Sequence, residues 1–395
     1  MKILIYAVNY HPELVGVGKH MGDMGSWLAK RGHEVRVVTA PPHYPEWRIR
    51  DGYRRWWYGR EAVSGALVWR CPLWIPARMS GGKRILYLLS FTLTSLPPML
   101  RQVFWRPDVV VATEPPLMAA PTASLTARLS GAVSWLLIAD FEADIAINLG
   151  LLPFAWMQRG VKAIERLIMR GFDRVSGLSG EMLKLIVEKG VPPERALVYP
   201  VWLDTDRIRP LENPPEALRA ELGIPGGATV ALYSGNMGLK QGLEIIVEAA
   251  RRMQDAGDLV FVMCGRGIAH DQLRRQAEGL DNILWLPLQP LDRYNELLNI
   301  ASIQLLTQLR GAAEFVVPSK LLAMLASGRP VLATADPDTE VARVVEGRGV
   351  VVPPENVDAF VGALRKLVDD PDRREQLGRA GRAYAVENFD EDRVH

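Results

Sequence analysis

Short apolar runs that end in small or polar residues alternate along this chain with segments of helical periodicity. Such runs are typical of parallel strands that helices cover on both faces. The runs form two series, at 2–8, 34–40, 67–73, 108–113, 134–140 and 174–179, and then at 229–235, 259–265, 282–288, 303–308, 330–335 and 349–354. The alternation predicts an α/β protein with two doubly wound, Rossmann-like domains in tandem.

The length of the chain and its prolines predict where these domains meet. The chain has 395 residues, more than one ordinary hydrophobic core holds. A proline-dense stretch of weak periodicity separates the two series, so we place the hinge near Pro200 to Pro225. We predict an N-terminal domain at 1–200 and a C-terminal domain at 201–375. The last segment, 376–395, is expected to be a helix that packs back toward the N-terminal domain.

Composition limits the setting in which the chain works. The net charge of +2 is unevenly distributed along the chain. Residues 1–190 contain 24 Lys+Arg and 15 Asp+Glu, a charge of +9, and the remainder contains 23 Lys+Arg and 30 Asp+Glu, a charge of −7. Only two cysteines occur, Cys71 and Cys264, which argues against a disulfide framework and for a reducing compartment. The first residues, MKILIYAVNYHP, lack a cleavage site of small residues and are interpreted as a buried strand, not a signal peptide. A cytoplasmic protein is therefore expected.

Ligands of such sheets bind beyond the carboxyl ends of the strands, where loops meet helix N-termini. In the loop after the first strand, Gly16 and Gly18 would let backbone N–H groups approach a ligand. The nucleotide fingerprint G-x-G-x-x-G is absent, because Met21 stands where the third glycine would be. A flexible loop with incidental glycines is the alternative interpretation.

The loop after the first strand of the second series is also rich in glycine. Gly235, Gly238 and Gly242 surround Lys240, which gives a tight turn, backbone donors and one positive charge near a helix start. These groups can bind a diphosphate. A solvated lysine in a glycine-rich turn is the alternative.

A second lysine of this domain stands at the start of an apolar helix within VVPSKLLAMLASGRPVLAT. Ser319 is expected to be the N-cap and Gly328 to close the helix. Lys320 then lies in the first turn, where the helix dipole disfavours a cation. A bound anion would remove this misfit. Two anion sites in one domain indicate a nucleotide diphosphate.

Carboxylates follow a buried strand of the first series in the sequence IADFEADIAINLG. Asp140, Glu142 or Asp144 could orient a sugar hydroxyl or act in acid–base chemistry, although helix capping would also account for any one of them. No His, Cys and Asp cluster has the spacing of a metal site, so no metal and no cofactor is expected.

The segment from Trp47 to Arg106 combines basic and aromatic residues. It holds 11 Lys+Arg, 2 Asp+Glu and 6 of the 11 tryptophans, around an apolar run, Ile85 to Met99, that is too short to span a bilayer. This combination predicts contact with an anionic membrane surface. Nucleic acid is not the expected partner, because it would leave the apolar run without a role. A buried helix beside a solvated basic loop is the alternative. The residues proposed to contact the membrane or an acceptor are Trp47, Arg54, Arg55, Trp56 and Trp57.

Five motifs in order make the chain resemble the retaining glycosyltransferases of family 4, which have the GT-B fold, and among them the bacterial exopolysaccharide (colanic acid) branch. They are NYHPELVGVGKH with LAKRGHEVRVVTAPPHYP, ADFEADIAINLGLL, VYPVWLDTDRIRP, YSGNMGLKQGLE and PSKLLAMLASGRPVLAT. The resemblance implies two domains that face each other across a cleft. It also implies transfer of a sugar, with retained configuration, from a UDP- or GDP-sugar to a cell-surface polysaccharide. The predicted membrane contact would give a peripherally bound enzyme access to a lipid-linked acceptor at the inner face of the plasma membrane.

The resemblance also implies roles for individual residues. Lys240 would contact the diphosphate, and Asn236 stands where many relatives carry an arginine with that role. Asp140, Glu142 and Lys240 are the candidate catalytic residues. The implied donor-binding residues are Gly16, Gly18, Gly235, Asn236, Lys240, Gly265, Arg266, Leu286, Leu288, Val317, Pro318, Ser319 and Lys320. The expected mechanism is front-face displacement, in which the leaving diphosphate helps to deprotonate the acceptor while Lys240, Lys320 and helix dipoles stabilise its charge.

The sequence departs from the family pattern at three positions. Phe315 and Ala323 replace two glutamates, Glu314 lies one residue out of register, and Ala139 replaces a histidine. These departures leave open a non-catalytic nucleotide-sugar-binding scaffold subunit of a polysaccharide assembly complex. A GT-B nucleotide-sugar epimerase is a further alternative.

Overall fold

The computed structural model describes residues 1–13, 16–76, 81–148, 150, 152–213, 215–290, 292–311 and 317–395. The chain divides into two compact units, Met1–Pro200 and Val201–His395. Each unit is described by itself below.

Unit 1 is built on a twisted, mainly parallel sheet. Its strands are β1 (Lys2–Tyr6), β2 (Glu34–Thr39), β3 (Gly59–Val63), β4 (Ala66–Arg70), β5 (Val109–Glu114), β6 (Val133–Ile138), β7 (Arg174–Gly177) and β8 (Ala196–Val198). Its α-helices are α1 (Gly16–Lys30), α2 (Gly81–Gln102), α3 (Ala120–Ser130), α4 (Glu142–Asn148), α5 (Ala155–Arg170) and α6 (Gly180–Glu188). Among the described residues the strand order is β3-β4-β2-β1-β5-β6-β7-β8, and only β3 runs antiparallel to its neighbour.

The direction of each crossover places the helices of unit 1 on the two faces of the sheet. Strand–helix–strand connections are right-handed in nearly all proteins. The connection through α1 runs from β1 to β2, toward the β3 edge, whereas those through α2, α3 and α5 run toward the β8 edge. Helices α2, α3 and α5 therefore share the face opposite to α1.

The six strands predicted for the first series are confirmed, with ends that shift by up to three residues. Strands β3 and β8 were not predicted. Strand β3, with the sequence GREAV, lacks an apolar run because it is an edge strand with alternating exposure. Strand β8 has three residues, which is too short for a periodic signal.

Unit 2 contains a sheet in which all pairs of neighbouring strands are parallel, and the six predicted strands of the second series are confirmed. These strands are β9 (Thr229–Ser234), β10 (Leu259–Cys264), β11 (Ile283–Leu286), β12 (Ile303–Leu306), β13 (Val331–Thr334) and β14 (Gly349–Val352), in the order β11-β10-β9-β12-β13-β14. Its α-helices are α7 (Glu216–Glu221), α8 (Glu244–Arg252), α9 (His270–Gln276), α10 (Tyr294–Ile300), α11 (Ser319–Ala326), α12 (Glu340–Val345), α13 (Val357–Asp369), α14 (Pro371–Phe389) and α15 (Glu391–Val394).

Helix α11 lies in the core of unit 2, where α14 packs closely against it. All residues of α11 from Leu321 to Ala326 are buried. A Cβ atom on Gly378 of α14 would lie 2.1 Å from the carbonyl oxygen of Gly328, so only glycine permits this approach. Helix α14 begins at Pro371, five residues before the predicted final segment. The docking of that segment on the N-terminal domain stays a prediction.

Candidate functional site

Backbone hydrogen bonds join two loops at the carboxyl edge of the sheet of unit 2. The N–H of Met237, after β9, donates to the carbonyl of Arg266, after β10, at 2.8 Å. The N–H of Ala269 donates back to the carbonyl of Met237 at 3.0 Å. The two loops therefore form one rigid ledge beside the strand ends, and we call residues 235–238 and 265–269 the ledge.

Glycine is required where the two loops of the ledge meet. Gly265 has φ +147°, and a Cβ atom there would lie 1.9 Å from the carbonyl oxygen of Gly235. A Cβ atom on Gly267 would lie 2.3 Å from the carbonyl oxygen of Met237. No side chain fits at either distance, so the close backbone approach depends on glycine.

The side chain of Lys320 lies against this ledge. Its Cδ is 3.8 Å from the position that a Cβ atom would take on Gly235. Its Nζ lies 4.9 Å from the ring centroid of Tyr233, a buried residue whose hydroxyl donates to the carbonyl of Asn236 at 2.6 Å. The ammonium group at the start of α11 is thus held next to the glycine-rich loop that follows β9.

The prediction that Ser319 caps helix α11 is wrong. Ser319 is the first residue of the helix, and Pro318 occupies the N-cap position without a side-chain cap hydrogen bond. Pro318 has φ −58° and ψ 131°. This ψ lies outside the helical range, so Pro318 is the residue directly before the helix, and the helix begins one residue earlier than expected. Val317 is buried and Ser319 is exposed. The N–H of Leu321 donates to the carbonyl of Pro318 at 2.8 Å. N–H groups at the start of a helix can also bind an anion.

Lys240 lies in a short turn after β9. It belongs to the 3₁₀ helix Leu239–Gln241, which ends at Gly242 with φ +56°. The carbonyl of Lys240 accepts the N–H of Leu309 at 2.9 Å, and its side chain is exposed, as is that of Asn236. The backbone is fixed while the ammonium group reaches solvent, as ligand contact requires.

Exposed apolar side chains follow β10 and β11. Leu288 is 62% exposed, and Ile268, which the sequence reasoning missed, is 81% exposed. Arg266 beside it is also exposed, while Leu286 is half-buried and accepts the N–H of Gly265 through its carbonyl at 3.0 Å. An apolar surface with one nearby cation can contact a flat heterocycle. Ile268 gave no sequence signal because a single apolar residue in a loop has no periodicity.

The glycine pair of unit 1 belongs to the first turn of α1, and its local contacts are with Glu13. Gly16 has φ +60°, and a Cβ atom on Gly18 would lie 2.4 Å from Oε2 of Glu13. Oε1 of this buried glutamate accepts the N–H groups of His43 and Tyr44 at 2.8 and 2.9 Å. The structure thus gives Gly18 a packing role beside its predicted ligand role, which stays a prediction.

The carboxylates predicted after β6 differ in environment. Asp140 is exposed. Glu142 begins α4, and its Oε2 accepts the N–H of Leu117 at 2.6 Å, while its own N–H donates to Oε1 of Glu114 at 3.2 Å. Burial raises the pKa of Glu142. Ala139, where relatives carry histidine, is half-buried and donates its N–H to the carbonyl of Glu114 at 2.8 Å.

A buried carboxylate network supports this loop and was not predicted. Glu114 and Glu165 are fully buried. Glu165 accepts from Nζ of Lys189 at 2.5 Å, and the same Nζ lies 2.8 Å from Oδ2 of Asp144. Burial, and then the neighbouring carboxylates Glu165 and Glu142, raise the pKa of Glu114 well above its usual range. Isolated acidic residues in apolar segments gave no spacing from which this network could be found.

The predicted membrane-contact residues of unit 1 are unequally exposed. Trp56 and Trp57 are 60% and 71% exposed, and Arg54 is exposed. Arg55 is half-buried, donates to the carbonyl of Ile75 and lies over the Trp56 ring. Trp47 is 36% exposed and packs edge-on against Tyr44 and Tyr87. The ring of Trp47 is thus part of an aromatic cluster.

The described ranges contain neither a group of metal-ligating side chains nor a helix that could span a membrane. No three His, Cys, Asp or Glu side chains there are grouped so that they could hold a metal ion. Across the same ranges, each helix is too short or too polar to cross a bilayer. Of the residues at departures from the family pattern, Glu314 and Phe315 lie outside the described residues, and Ala323 is buried in α11.

The fold of the two units is that of the GT-B glycosyltransferases. Solved structures share it, including the sucrose-phosphate synthase of Thermosynechococcus elongatus, with a TM-score of 0.75 and 15% identity, covering 100% of this chain and 96% of that one. HepE of Anabaena in complex with UDP has a TM-score of 0.69 and 13% identity, covering 100% and 97%.

Sequence comparison gives the family. A glycosyl transferase 4-like domain matches residues 15–202, and the glycosyl transferases group 1 domain matches residues 215–384. The chain is 40% identical to WcaI of Escherichia coli K12, a protein named for colanic acid biosynthesis glycosyl transfer, over 100% of this chain and 98% of that protein. This chain belongs to the family 4 glycosyltransferases and is a transferase.

Proposed function

We propose that this enzyme transfers a sugar from a UDP- or GDP-sugar to a lipid-linked precursor of a cell-surface polysaccharide, with retention of configuration. In this proposal unit 2 binds the donor and unit 1 binds the acceptor. The reaction takes place in the cytoplasm at the inner face of the plasma membrane, and no nucleic acid takes part.

The position of Lys320 carries the proposal for the donor. A cation in the first turn of a helix is disfavoured by about 0.3–1 kcal/mol at the surface. Here its side chain packs against Gly235 and Tyr233, which keeps it at the ledge. A diphosphate dianion bound there would contact the ammonium group and the N-terminal end of α11 together. Lys240, exposed after the same strand, would supply a second cation.

The relatives support the choice of donor and acceptor class. The structures of HepE of Anabaena contain UDP and, in another crystal, UDP-glucose. The name of WcaI refers to colanic acid, a polysaccharide. Leu288 and Ile268, exposed beside Arg266, suit contact with the base and ribose of such a donor.

The proposed mechanism is displacement on the front face of the donor sugar. The bond between the anomeric carbon and the diphosphate oxygen breaks, the acceptor oxygen bonds to the same face, and its proton passes to the leaving diphosphate. Lys240, Lys320 and the N–H groups of α11 stabilise the charge on that diphosphate. Asp140, exposed at the end of β6, orients the acceptor hydroxyl. Glu142 is assigned a positioning role, because its carboxylate already accepts from Leu117.

Peripheral membrane binding is proposed for the segment from Trp47 to Arg106. Helix α2 exposes apolar residues along one side, at helical spacing. We call them the α2 stripe: Ile85, Leu86, Leu89, Leu93, Leu96 and Leu100. The hydroxyl of Tyr58 donates to the carbonyl of Thr94 of α2 at 2.8 Å. The exposed Trp56 and Trp57 directly precede Tyr58 in the sequence, so this hydrogen bond links their loop to α2. Arg54 and Arg55 supply positive charge beside them.

Donor hydrolysis by the purified enzyme tests the proposal without a known acceptor. We expect slow release of nucleoside diphosphate from one of a panel of UDP- and GDP-sugars. By proton NMR, the first sugar formed should have the anomeric configuration of the donor, because water attacks from the front face. Lys240→Ala should release sugar more slowly at saturating donor. Nucleotide binding without turnover would indicate a scaffold, and release of an epimeric nucleotide sugar would indicate an epimerase.

A further inference from the structure

An exposed apolar ridge with basic residues along one side lies on α5, outside the segment proposed above to bind membrane. Its members precede or belong to α5 and are each more than half exposed. We call them the α5 ridge: Phe154 at 59%, Trp156 at 72%, Ile164 at 57% and Leu167 at 72%. The three members within the helix fall on one side of it, because residues 156, 164 and 167 are separated by eight and three positions.

The charges of α5 are distributed in a way that favours an anionic partner. Its one acidic residue, Glu165, is fully buried and bonded to Lys189. The exposed charged residues of the helix are all basic, and helical spacing places them along one flank of the ridge. These residues are Arg159, Lys162, Arg166 and Arg170.

Helix α3 contacts both α2 and the end of α5, and all three helices lie on the same face of the sheet. The side chains of Ser124 and Arg128 of α3 donate to the carbonyl of Gly171, directly after α5, at 3.1 and 3.3 Å. Helix α3 also packs against α2, and it exposes Leu125 and Leu129 at 46% and 58%. Neither α2 nor α3 contains an acidic residue.

We propose that the α5 ridge binds an anionic lipid bilayer, so that α2, α3 and α5 together form the membrane-binding surface of unit 1. The apolar side chains enter the interface between headgroups and acyl chains, while the flanking arginines and lysines contact lipid phosphates. This inference rests on the proposed use of a lipid-linked acceptor, and it names α5 as an additional anchor for the enzyme that uses it.

A second copy of the chain fits the α5 ridge less well. In an antiparallel twofold contact between two α5 helices, the two basic flanks would lie on the same side of the interface, and like charges at such a contact oppose binding. An anionic bilayer neutralises the same charges. The high positive charge of residues 1–190, +9 from 24 Lys+Arg and 15 Asp+Glu, acts in the same direction.

Vesicle co-sedimentation of the full chain tests the surface. We expect binding to vesicles of phosphatidylglycerol and phosphatidylcholine and much weaker binding to phosphatidylcholine alone. Arg159→Glu with Arg166→Glu should lower the partition coefficient at least about tenfold, since each basic side chain near an anionic surface contributes a factor of about five. The matched control, Arg274→Glu with Arg275→Glu on exposed positions of α9, carries the same charge change and should bind like wild type.

The apolar half of the ridge has its own variants. Trp156→Ala with Leu167→Ala should weaken binding while leaving the melting temperature close to wild type, because both side chains are exposed. Brominated lipids should quench less fluorescence in Trp156→Phe than in wild type.

Three results would overturn the inference. Wild-type binding by both α5 double variants would remove α5 from the surface. A wild-type dimer that Trp156→Ala with Leu167→Ala dissociates would make the ridge a self-association site. A wild-type enzyme that hydrolyses donor but binds no vesicles would refute the membrane surface and leave glycosyl transfer intact.

Discussion

The ammonium nitrogen of Lys320 lies 4.9 Å from the ring centroid of Tyr233, so the lysine at the start of α11 extends toward the loop after β9. This contact stabilises the side chain by about 0.5–1 kcal/mol, comparable to the cost of a cation at a helix N-terminus. The charge is therefore kept beside the glycine-rich loop at little net cost to folding.

Replacing this lysine should weaken donor binding without unfolding the protein. For Lys320→Gln we expect nucleoside diphosphate affinity to fall about tenfold or more, because a hydrogen bond to a charged group contributes about 1.5–3 kcal/mol. The melting temperature without nucleotide should stay near wild type. The variant loses the contact with Tyr233, but it also removes the unfavourable interaction between the lysine charge and the dipole of α11. Calorimetric titration and thermal unfolding measure both quantities. Lys366→Gln, at an exposed position of α13, is the control, and equal losses in both variants would contradict the prediction.

Two glycine substitutions should change the stability of unit 2 in opposite directions. In Gly265→Ala the added Cβ would lie 1.9 Å from the carbonyl oxygen of Gly235, so the ledge must shift, and we expect a loss of about 1–3 kcal/mol together with weaker nucleotide binding. A Cβ at Gly362 meets no atom within 4 Å, and this residue is inside α13. Gly362→Ala should therefore stabilise by up to about 1 kcal/mol. Urea unfolding measures both, and an unchanged Gly265→Ala would show that the ledge is not tightly packed.

The buried Glu114 should make unit 1 less stable as the pH rises. Its folded pKa lies well above the ordinary value of 4.5, so the folded state binds the proton more tightly. Its contribution to stability is complete below the unfolded pKa and is lost as the pH rises through the folded pKa. Glu114→Gln mimics the protonated acid. At a pH above the folded pKa of Glu114, this variant should have a higher melting temperature than wild type, and at low pH the two should be nearly equal.

The matched variant for this network is Glu165→Gln. It breaks the pair with Lys189, whose Nζ lies 2.5 Å from Oε2 of Glu165, and should lower the melting temperature at neutral pH, because the partly buried ammonium loses one of its carboxylate partners. Melting curves over a pH series compare both variants with wild type. If Glu114→Gln destabilised the protein throughout the series, Glu114 would be an ionised partner in the folded state.

A chelator should leave turnover largely intact. The proposed site neutralises the leaving diphosphate with Lys240, Lys320 and helix N–H groups, so a bound divalent ion is not required. Donor hydrolysis measured with and without EDTA checks this expectation. Loss of turnover that added Mg²⁺ or Mn²⁺ restores would show that a metal carries part of the charge.

The sequence was most informative where one residue type dictates backbone geometry. Apolar runs predicted the parallel strands, and glycines marked the loop after β9, because tight turns and close backbone approaches leave few alternatives. The prediction that Ser319 is the N-cap of α11 was wrong, since Pro318 takes that position. The sequence alone could not decide whether α11 begins at Ser319 or at Lys320, because both serine and proline are common at the start of a helix.

Contacts between distant residues could not be predicted in this way. The buried network of Glu114, Glu165 and Lys189 joins residues that are far apart in sequence. The direction of the Lys320 side chain, on helix α11, depends on Tyr233, which lies in strand β9. The α5 ridge was missed because the exposed face of an amphipathic helix can be recognised only when its buried face is known.

Isothermal titration of nucleoside mono- and diphosphates against the wild-type enzyme and Lys240→Ala with Lys320→Ala tests the central claim, that unit 2 recognises a diphosphate with these two lysines. The base is first chosen by a thermal-shift screen of uridine, guanosine and thymidine diphosphates. We predict that the wild-type enzyme binds the diphosphate at least about tenfold more tightly than the monophosphate, and that this advantage nearly disappears in the double variant. A diphosphate advantage that is unchanged in the folded double variant would contradict the account.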